Sequence, residues 1–382
     1  MKKQLLIMFL NTVIIFGSVG ICINVFPMFT SQVSAASVAL VQYTNPEFLA
    51  ECAKSKISSY IPEEKEKTTN TRTEQQVMNT IGSKDSDDGC DITETPSDVK
   101  SLMKEAEKKQ KKKNARGKTS EEAYQGGGTI IAYKDVKIQS KIPADFYKPD
   151  IKSLLSEGSD LKIKDKAKPT ILIYHSHTTE AYTLLDSGYY ISSDSRSKDN
   201  SKNVVRVGDE LARYLEKAGF KVIHDTKIHD VDYNKSYDSS RETVEKYLEE
   251  YPSIEVTIDL HRDDITYKNK TKVKPTAEIN GKKAARMMLI AGCEWGRVKN
   301  FPDWEYNLRF DLAVQQKVNS LYPELMRPVL FSERKYNMYE THNSFLLEIG
   351  TDANTLDEAC YSARLFGKAL GDLLNDKYVI NN

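Results

Sequence analysis

The chain has few cysteines, no net charge and no internal repeat, and each absence excludes a class of protein. Its 382 residues include only five cysteines, which lie at positions 22, 52, 90, 293 and 360. They are odd in number and widely spaced, and they form no CxxC pair, so a disulfide framework and a cysteine zinc knuckle are excluded. The 55 basic residues balance the 55 acidic ones. Nothing in that balance favours nucleic acid as a partner.

Charge is also missing from most of the N-terminal segment. Apart from Lys2 and Lys3, the first 46 residues carry no charged side chain, and residues 5–29 are mostly apolar. About 20 apolar residues suffice to cross a bilayer, and the two lysines favour a cytoplasmic N-terminus. The alternative is a signal peptide cleaved near Val33-Ser34-Ala35. The length of the run favours a single-pass anchor over residues 1–36, with the remainder of the chain outside the cytoplasm.

Residues 37–128 are predicted to form a flexible charged linker. Residues 62–98 are rich in Glu, Lys, Thr, Asn, Ser and Asp. Such a segment cannot bury enough apolar surface to offset the entropy lost on ordering. Residues 104–118 are strongly basic, which is typical either of a solvated linker or of a segment attracted to anionic lipid headgroups or wall polymers. A triple glycine at 126–128 marks the start of a folded domain over residues 129–382.

Strand-like and helical patterns alternate within that domain. A hairpin is expected around Asn280-Gly281. The alternation predicts an α/β fold with a mixed, mostly parallel sheet covered by helices on both faces. The strands are predicted at residues 129–139, 170–174, 220–224, 254–260, 285–291, 328–332 and 344–347, and the main helices at 203–218, 237–251, 303–321 and 355–374.

Three of the predicted strands end in polar side chains. His177 and Glu180 follow the strand at 170–174, His261 follows the strand at 254–260, and Glu348 follows the strand at 344–347. The carboxyl ends of parallel strands face the ligand crevice of an open α/β sheet, so these side chains are expected to converge. Two imidazoles and a carboxylate suit zinc and leave one position for water. The sequence therefore predicts a zinc hydrolase in which Glu348 accepts the proton of the attacking water.

Four more residues near these strand ends are candidates for contact with substrate or with the zinc ligands. His175 lies two residues before His177, and strand alternation would place both on one face. Arg262 either pairs with a substrate carboxylate or forms a salt bridge with Asp263 or with Asp264. Asp263 follows directly on His261-Arg262, and His342 lies just before the strand that leads to the predicted general base.

Four segments resemble the stage II sporulation protein P family of endospore-forming bacteria. They are ILIYHSHTTEAY at 171–182, GDELARYLEKAGFKVIHD at 208–225, IDLHRDD at 258–264 and LLEIGTDANTLDEA at 346–359. The resemblance implies the fold of the zinc N-acetylmuramoyl-L-alanine amidases, which are relatives of the zinc carboxypeptidases. It implies cleavage of the amide between muramic acid and the stem peptide of peptidoglycan, with an added endopeptidase activity on cross-links. It also implies action in forespore engulfment, in the intermembrane space of the sporulating cell, with stage II sporulation proteins D and M as partners.

Residue by residue, His177 and His261 match the two zinc-binding histidines of that superfamily, and Glu348 matches its catalytic glutamate. Many amidases take their third ligand from further along the chain, where this sequence offers Asp194 and Asp199. Glu180, at the HxxE spacing of the carboxypeptidase relatives, is the better candidate.

Two other functions remain open at this stage. One is a carboxypeptidase-type wall peptidase in which Arg262 clamps the substrate carboxylate. The other is a membrane-tethered module that binds the wall without hydrolysing it.

Overall fold

The structure is a computed structural model, and it describes residues 91–124, 126–192 and 195–380. These residues belong to one compact unit, Gly82–Asn382. The predicted membrane anchor lies outside the described residues. Among the residues that are described, no helix is both long enough and apolar enough to cross a membrane.

The described chain alternates between short strands and helices. In chain order the elements are α1 (Ser97–Lys109), β1 (Gly117–Glu122), β2 (Thr129–Tyr133), β3 (Val136–Ser140), α2 (Ile151–Glu157), β4 (Pro169–Tyr174), β5 (Tyr189–Tyr190), α3 (Val204–Lys217), β6 (Lys221–His224), α4 (Ser236–Glu250), β7 (Val256–Asp263), β8 (Lys272–Ile279), β9 (Lys282–Ala285), β10 (Met287–Gly292), α5 (Trp304–Leu321), β11 (Val329–Ser332), β12 (Ser344–Thr351) and α6 (Leu356–Lys377).

The main sheet confirms the predicted mixed, mostly parallel topology. Its eight strands lie in the order β2-β3-β11-β10-β12-β7-β4-β6. Only the β2–β3 and β10–β12 pairs are antiparallel. A smaller sheet has the order β5-β1-β8-β9.

Helices cover both faces of the main sheet. Alternate residues of a strand point to opposite faces, so one strand contacts helices on both sides. On β4, Ile171 and Ile173 belong to the large core that includes Leu211 of α3. Leu172 and its neighbour Tyr174 belong instead to a separate cluster with Val244 of α4. The continuous apolar run of β4 is therefore explained by burial on both faces.

Local signals in the sequence account for several element ends. Asn203 caps α3, since its side chain accepts a hydrogen bond from the backbone N–H of Val205 at 2.9 Å. Gly219 follows the helix with φ of +92°, a conformation that favours glycine. The predicted hairpin joins β8 to β9, and Asn280 and Gly281 have φ of +51° and +74°. These are the positive values that a tight two-residue hairpin turn requires.

The predicted linker differs from the structure at its C-terminal end. Residues 97–122 form α1 and β1, and β1 pairs in parallel with β8. Val99 of α1 is fully buried in the main core, and the carboxylate of Asp98 pairs with Arg206 of α3 at 2.6 Å. A narrow apolar stripe on an otherwise charged helix explains why composition alone indicated a linker there.

Candidate active site

A cleft of about 350 Å³ lies at the carboxyl ends of β4, β7 and β12. These three parallel strands are neighbours in the sheet, and the register places Glu348 of β12 directly beside His261 of β7. His177 and Glu180 follow β4 in a turn in which the backbone N–H of Glu180 donates to the carbonyl of His177 at 3.0 Å. The sheet topology thus brings together the three strand ends that the sequence singled out.

His177, Glu180 and His261 are arranged as a metal site. Each offers one ligand atom, and the three atoms lie within 4.8 Å of one another. Glu180 lies between the two imidazoles, with Oε1 3.4 Å from His177 Nδ1 and Oε2 3.3 Å from His261 Nδ1. Of the alternative third ligands, Asp199 is exposed and paired with Lys202, while Asp194 lies outside the described residues.

The electrostatics of this cluster favour a cation. Burial raises the pKa of Glu180, but hydrogen bonds from His177 and His261 hold that pKa well below its ordinary value. Burial alone would lower the pKa of His261, yet the Asp259 and Glu180 carboxylates raise it well above the ordinary value. The buried carboxylates therefore stabilise positive charge at this position. The donor set of two nitrogens and one oxygen fits zinc.

Asp259 was not identified as a site residue from the sequence. In the structure its carboxylate orients the imidazole of His261. Its Oδ1 lies 2.8 Å from His261 Nε2. The same carboxylate accepts hydrogen bonds from the backbone N–H and hydroxyl of Ser176, at 2.8 and 2.6 Å. Fixing the Nε2 proton of His261 leaves Nδ1 free to face Glu180 and a metal. The available signal was an acidic residue two positions before a histidine, inside an otherwise apolar strand.

Glu348 has the surroundings expected of a general base. It lines the cleft, and its Oε2 atom is buried without a hydrogen-bond partner among the described residues. Burial and the nearby Asp263 carboxylate raise the pKa of Glu348 to about 8, although His261 partly opposes this. Asp263 itself pairs with Arg327 at 2.8 Å and lies at the edge of the cleft. A carboxylate with this raised proton affinity is suited to proton transfer near neutral pH.

Arg262 lines the cleft, but its side chain donates hydrogen bonds to main-chain carbonyls. Its Nε donates to the Ala181 carbonyl at 3.2 Å, and one terminal nitrogen donates to the Ser195 carbonyl at 3.0 Å. Its backbone N–H donates to Glu180 Oε2 at 3.1 Å. These bonds replace the expected salt bridges with Asp263 or Asp264. Arg262 therefore holds the segments that carry Glu180 and Ser195.

His175 does not lie with His177 in the cleft. Its Nδ1 donates to the Leu260 carbonyl at 2.9 Å, and its Nε2 lies 2.9 Å from His224 Nε2. Burial and the neighbouring His224 lower the pKa of His175 to about 3. The two histidines do not share a face, because β4 ends at Tyr174 and strand alternation does not extend beyond that residue.

His342 is also remote from the cleft. It is exposed, its Nδ1 donates to the Asp160 carboxylate at 2.8 Å, and its ring stacks on Tyr306 with ring centroids 4.5 Å apart. It precedes the amino end of β12, whereas Glu348 is six residues further along. At about 3.3 Å per residue, that separation is roughly 20 Å.

Aromatic side chains form much of the cleft wall and were not found from the sequence. Tyr233 stacks on His177 with ring centroids 4.5 Å apart, and Arg196 lies 4.7 Å from the centre of the Tyr233 ring. Tyr237 and Tyr336 stack on each other at 4.6 Å. These residues come from loops and from the start of α4, where no regular spacing marks them.

Comparison with known proteins gives a family match over most of the chain. The family model described as Stage II sporulation protein P (SpoIIP) matches residues 48–371. The stage II sporulation protein P of Bacillus subtilis (strain 168) is 28% identical over 274 residues, which are 65% of this chain and 65% of that relative. The match thus spans just under two thirds of the length of that relative.

The solved structures that match this chain in a structural comparison include two amidases. The N-acetylmuramoyl-L-alanine amidase AmiC2 of Nostoc punctiforme is 12% identical, with a TM-score of 0.33, and the match covers 56% of this chain and 97% of that one. The CwlD amidase from Clostridioides difficile, solved in complex with the GerS lipoprotein, is 10% identical, with a TM-score of 0.33. That match covers 55% of this chain and 100% of that one.

Proposed function

Because this chain belongs to the stage II sporulation protein P family, we propose that it is a zinc-dependent peptidoglycan hydrolase acting in sporulation. Its reaction is cleavage of the amide between N-acetylmuramic acid and the L-alanine of the stem peptide. The observation that carries the proposal is the convergence of His177, Glu180 and His261 beside Glu348 in one cleft. The proposal includes an N-terminal membrane anchor, a catalytic domain outside the cytoplasm, and stage II sporulation proteins D and M as partners.

The residues present fit a zinc ion. His177, Glu180 and His261 would hold it, and the buried carboxylates Glu180 and Asp259 supply the negative field that a dication requires. Zinc in such a site makes water more acidic and polarises a carbonyl group.

Glu348 performs the proton transfers of the proposed reaction. As the water oxygen bonds to the carbonyl carbon, Glu348 accepts a water proton. As the carbon–nitrogen bond breaks, it delivers that proton to the leaving nitrogen, so the carboxylate is regenerated. Its unpartnered Oε2 and its raised pKa support both steps. Arg262 and Asp259 act through other residues, since they position Glu180 and His261.

The test measures zinc content and product release on the same preparations of the full chain. Single alanine variants of His177, Glu180 and His261 should lose zinc and hydrolysis together, because a site with three protein ligands tolerates the loss of one poorly. Asp199→Ala is the matched control and should retain both. If Asp194→Ala loses zinc while Glu180→Ala retains it, the assignment of Glu180 as the third zinc ligand is wrong.

Glu348→Gln separates the base from the ligands. The amide is nearly isosteric with the carboxylate, so zinc should be retained, but it cannot accept the proton. Turnover should fall by about 10²–10⁴. Loss of zinc in this variant would make Glu348 a ligand, and turnover near that of the wild type would place the base elsewhere.

The products identify the reaction. Mass spectrometry of digested walls should find glycan strands whose muramic acid has lost its stem peptide. Stems shortened from their carboxyl ends would indicate a carboxypeptidase, and no product would indicate a binding module. The main-chain bonds of Arg262 do not favour the carboxypeptidase reading. Cleavage of purified cross-linked dimers tests the added endopeptidase activity.

A further inference from the structure

We propose that Tyr336 is a catalytic residue whose hydroxyl donates a hydrogen bond to the oxygen that becomes negative when the scissile carbonyl is attacked. The inference rests on the proposed amide hydrolysis and adds a residue that the strand-end pattern did not indicate. Tyr336 lies in the loop between β11 and β12 and lines the same cleft as His261 and Glu348.

The backbone at Tyr336 is held in an unfavourable conformation. Its φ of +43° is in the left-handed region, which a bulky residue rarely adopts. Such conformations are energetically unfavourable and persist only when the surrounding structure enforces them. A tyrosine retained at such a position therefore indicates a use for its side chain.

Neighbouring residues enforce this conformation. The side-chain amide of Asn337 donates to the Tyr237 carbonyl at 3.2 Å and to the Ser240 hydroxyl at 2.9 Å. The carbonyl of Met338 accepts a hydrogen bond from Asn307 of α5 at 2.6 Å. The loop is thus tied to α4 and α5 directly after Tyr336, so the ring is held over the cleft.

The Tyr336 ring packs on Tyr237, which in turn lies beside His261. It stacks on Tyr237 at 4.6 Å with an angle of 19° between the rings, and Tyr237 is nearly parallel to His261 at 6.3 Å. Burial raises the pKa of Tyr336. Arg334 lowers that pKa, and the carboxylate of Glu348 raises it. A neutral hydroxyl in this position remains a hydrogen-bond donor.

The two arginines of the cleft wall are committed to other groups. The side chain of Arg262 donates to three main-chain carbonyls, and Arg196 pairs with Asp230 at 2.8 Å while covering Tyr233. The Arg334 guanidinium donates a hydrogen bond to the Tyr336 hydroxyl and lowers its pKa, and a hydroxyl that accepts this bond can still donate its own proton.

The role of Tyr336 fits the chemistry of amide hydrolysis. When the water oxygen bonds to the carbonyl carbon, the electron pair of the C=O bond moves to its oxygen. A fixed hydrogen-bond donor stabilises the negative oxygen of the transition state more than the neutral carbonyl of the ground state. When the carbon–nitrogen bond breaks, the C=O bond re-forms and the negative charge on its oxygen is lost. The hydroxyl proton stays on Tyr336 throughout, so Glu348 remains the group that moves the proton.

The experiment compares Tyr336→Phe with Tyr339→Phe in the full chain. Both changes remove one hydroxyl from the same loop, but Tyr339 does not line the cleft, so its variant is the matched control. Kinetics on a soluble muropeptide should show that Tyr336→Phe lowers kcat by about 10²–10³ with KM nearly unchanged. Zinc content and Tm should equal those of the wild type. Tyr339→Phe should keep wild-type kinetics.

Two results would overturn the proposal. One is a kcat for Tyr336→Phe within about threefold of wild type. The other is a higher KM with unchanged kcat, which would make the hydroxyl a ground-state contact. Both outcomes require an active wild-type enzyme. An inactive wild type with full zinc occupancy would instead count against the proposed function, and the two failures are therefore distinguishable.

Discussion

Replacing Asp259 with asparagine should weaken zinc binding without disturbing the fold. Asp259 does not line the cleft, but its Oδ1 lies 2.8 Å from the Nε2 of His261, a proposed ligand. Asparagine can reproduce the local hydrogen bonds. Its oxygen can accept from His261 and from the backbone N–H of Ser176, and its NH₂ group can donate to the Ser176 hydroxyl. That hydroxyl can then donate to Ser240, 2.7 Å away. The substitution therefore removes the charge and preserves the geometry.

The expected magnitude follows from that distinction. Loss of a carboxylate that orients a metal-bound histidine typically costs 10–100-fold in metal affinity. This is about 1.4–2.7 kcal/mol of binding free energy. Asp259→Ala should in addition lower the stability of the zinc-free protein, because it leaves the buried Ser176 N–H and His261 Nε2–H without acceptors. An unsatisfied buried group costs about 1–3 kcal/mol.

The assay is competition for zinc with a chromogenic chelator at fixed pH. Asp209→Asn is the control, because Asp209 also faces a histidine, His224 at 3.1 Å, but lies outside the cleft. Its zinc affinity should equal that of the wild type. An Asp259→Asn affinity within twofold of wild type, with the fold intact, would refute the argument that the buried carboxylates create the cation site.

Three further predictions concern stability. Asp311→Asn should raise the unfolding free energy at pH 7 by up to about 4 kcal/mol, because burial raises the pKa of the unpartnered Asp311 carboxyl well above the ordinary value, so that its ionisation favours the unfolded chain. Because the pKa of Asp311 is higher in the folded protein, the wild type loses stability as the pH rises above the pKa of an unfolded aspartate. Denaturant titrations should therefore show that the stability advantage of Asp311→Asn vanishes below about pH 4. A chain that begins at residue 129 should unfold at a lower temperature than one that begins at residue 91, because it lacks the buried Val99 and the β1–β8 pairing; equal Tm values would mean that residues 97–122 do not contribute to the fold. Arg262→Lys should lower Tm nearly as much as Arg262→Ala, since a single ammonium cannot bond to both carbonyls in place of the guanidinium, and full rescue by lysine would contradict this.

The parts of the fold that were predictable depend on residues close together in the chain. The helix over 203–218 and the Asn280-Gly281 hairpin were predicted from local patterns, and the structure contains both, with Asn203 as the helix cap and Gly219 directly after the helix. The apolar run of β4 indicated burial on both faces, which also holds. α1 escaped prediction because its stability comes from Val99 packing on distant elements, while most of its residues are charged and solvated.

The residues of the candidate site also divide into those that the sequence indicated and those that only the structure revealed. His177, Glu180, His261 and Glu348 could be selected from the sequence because each follows an apolar strand, and the carboxyl ends of neighbouring parallel strands meet at one edge of a sheet. Asp259 could not be assigned, because its role depends on pointing at His261 and Ser176 across the strand end.

The sequence by itself thus determined which side chains could supply the chemistry and on which strands they lie. Tertiary structure decided which candidates share the cleft: His175 turns toward His224, His342 lies at the opposite end of β12, and Tyr336 enters through a loop tied to two helices. Strand periodicity is set within a few residues by backbone sterics. The direction of a side chain beyond a strand end is set by contacts with segments far away in the chain.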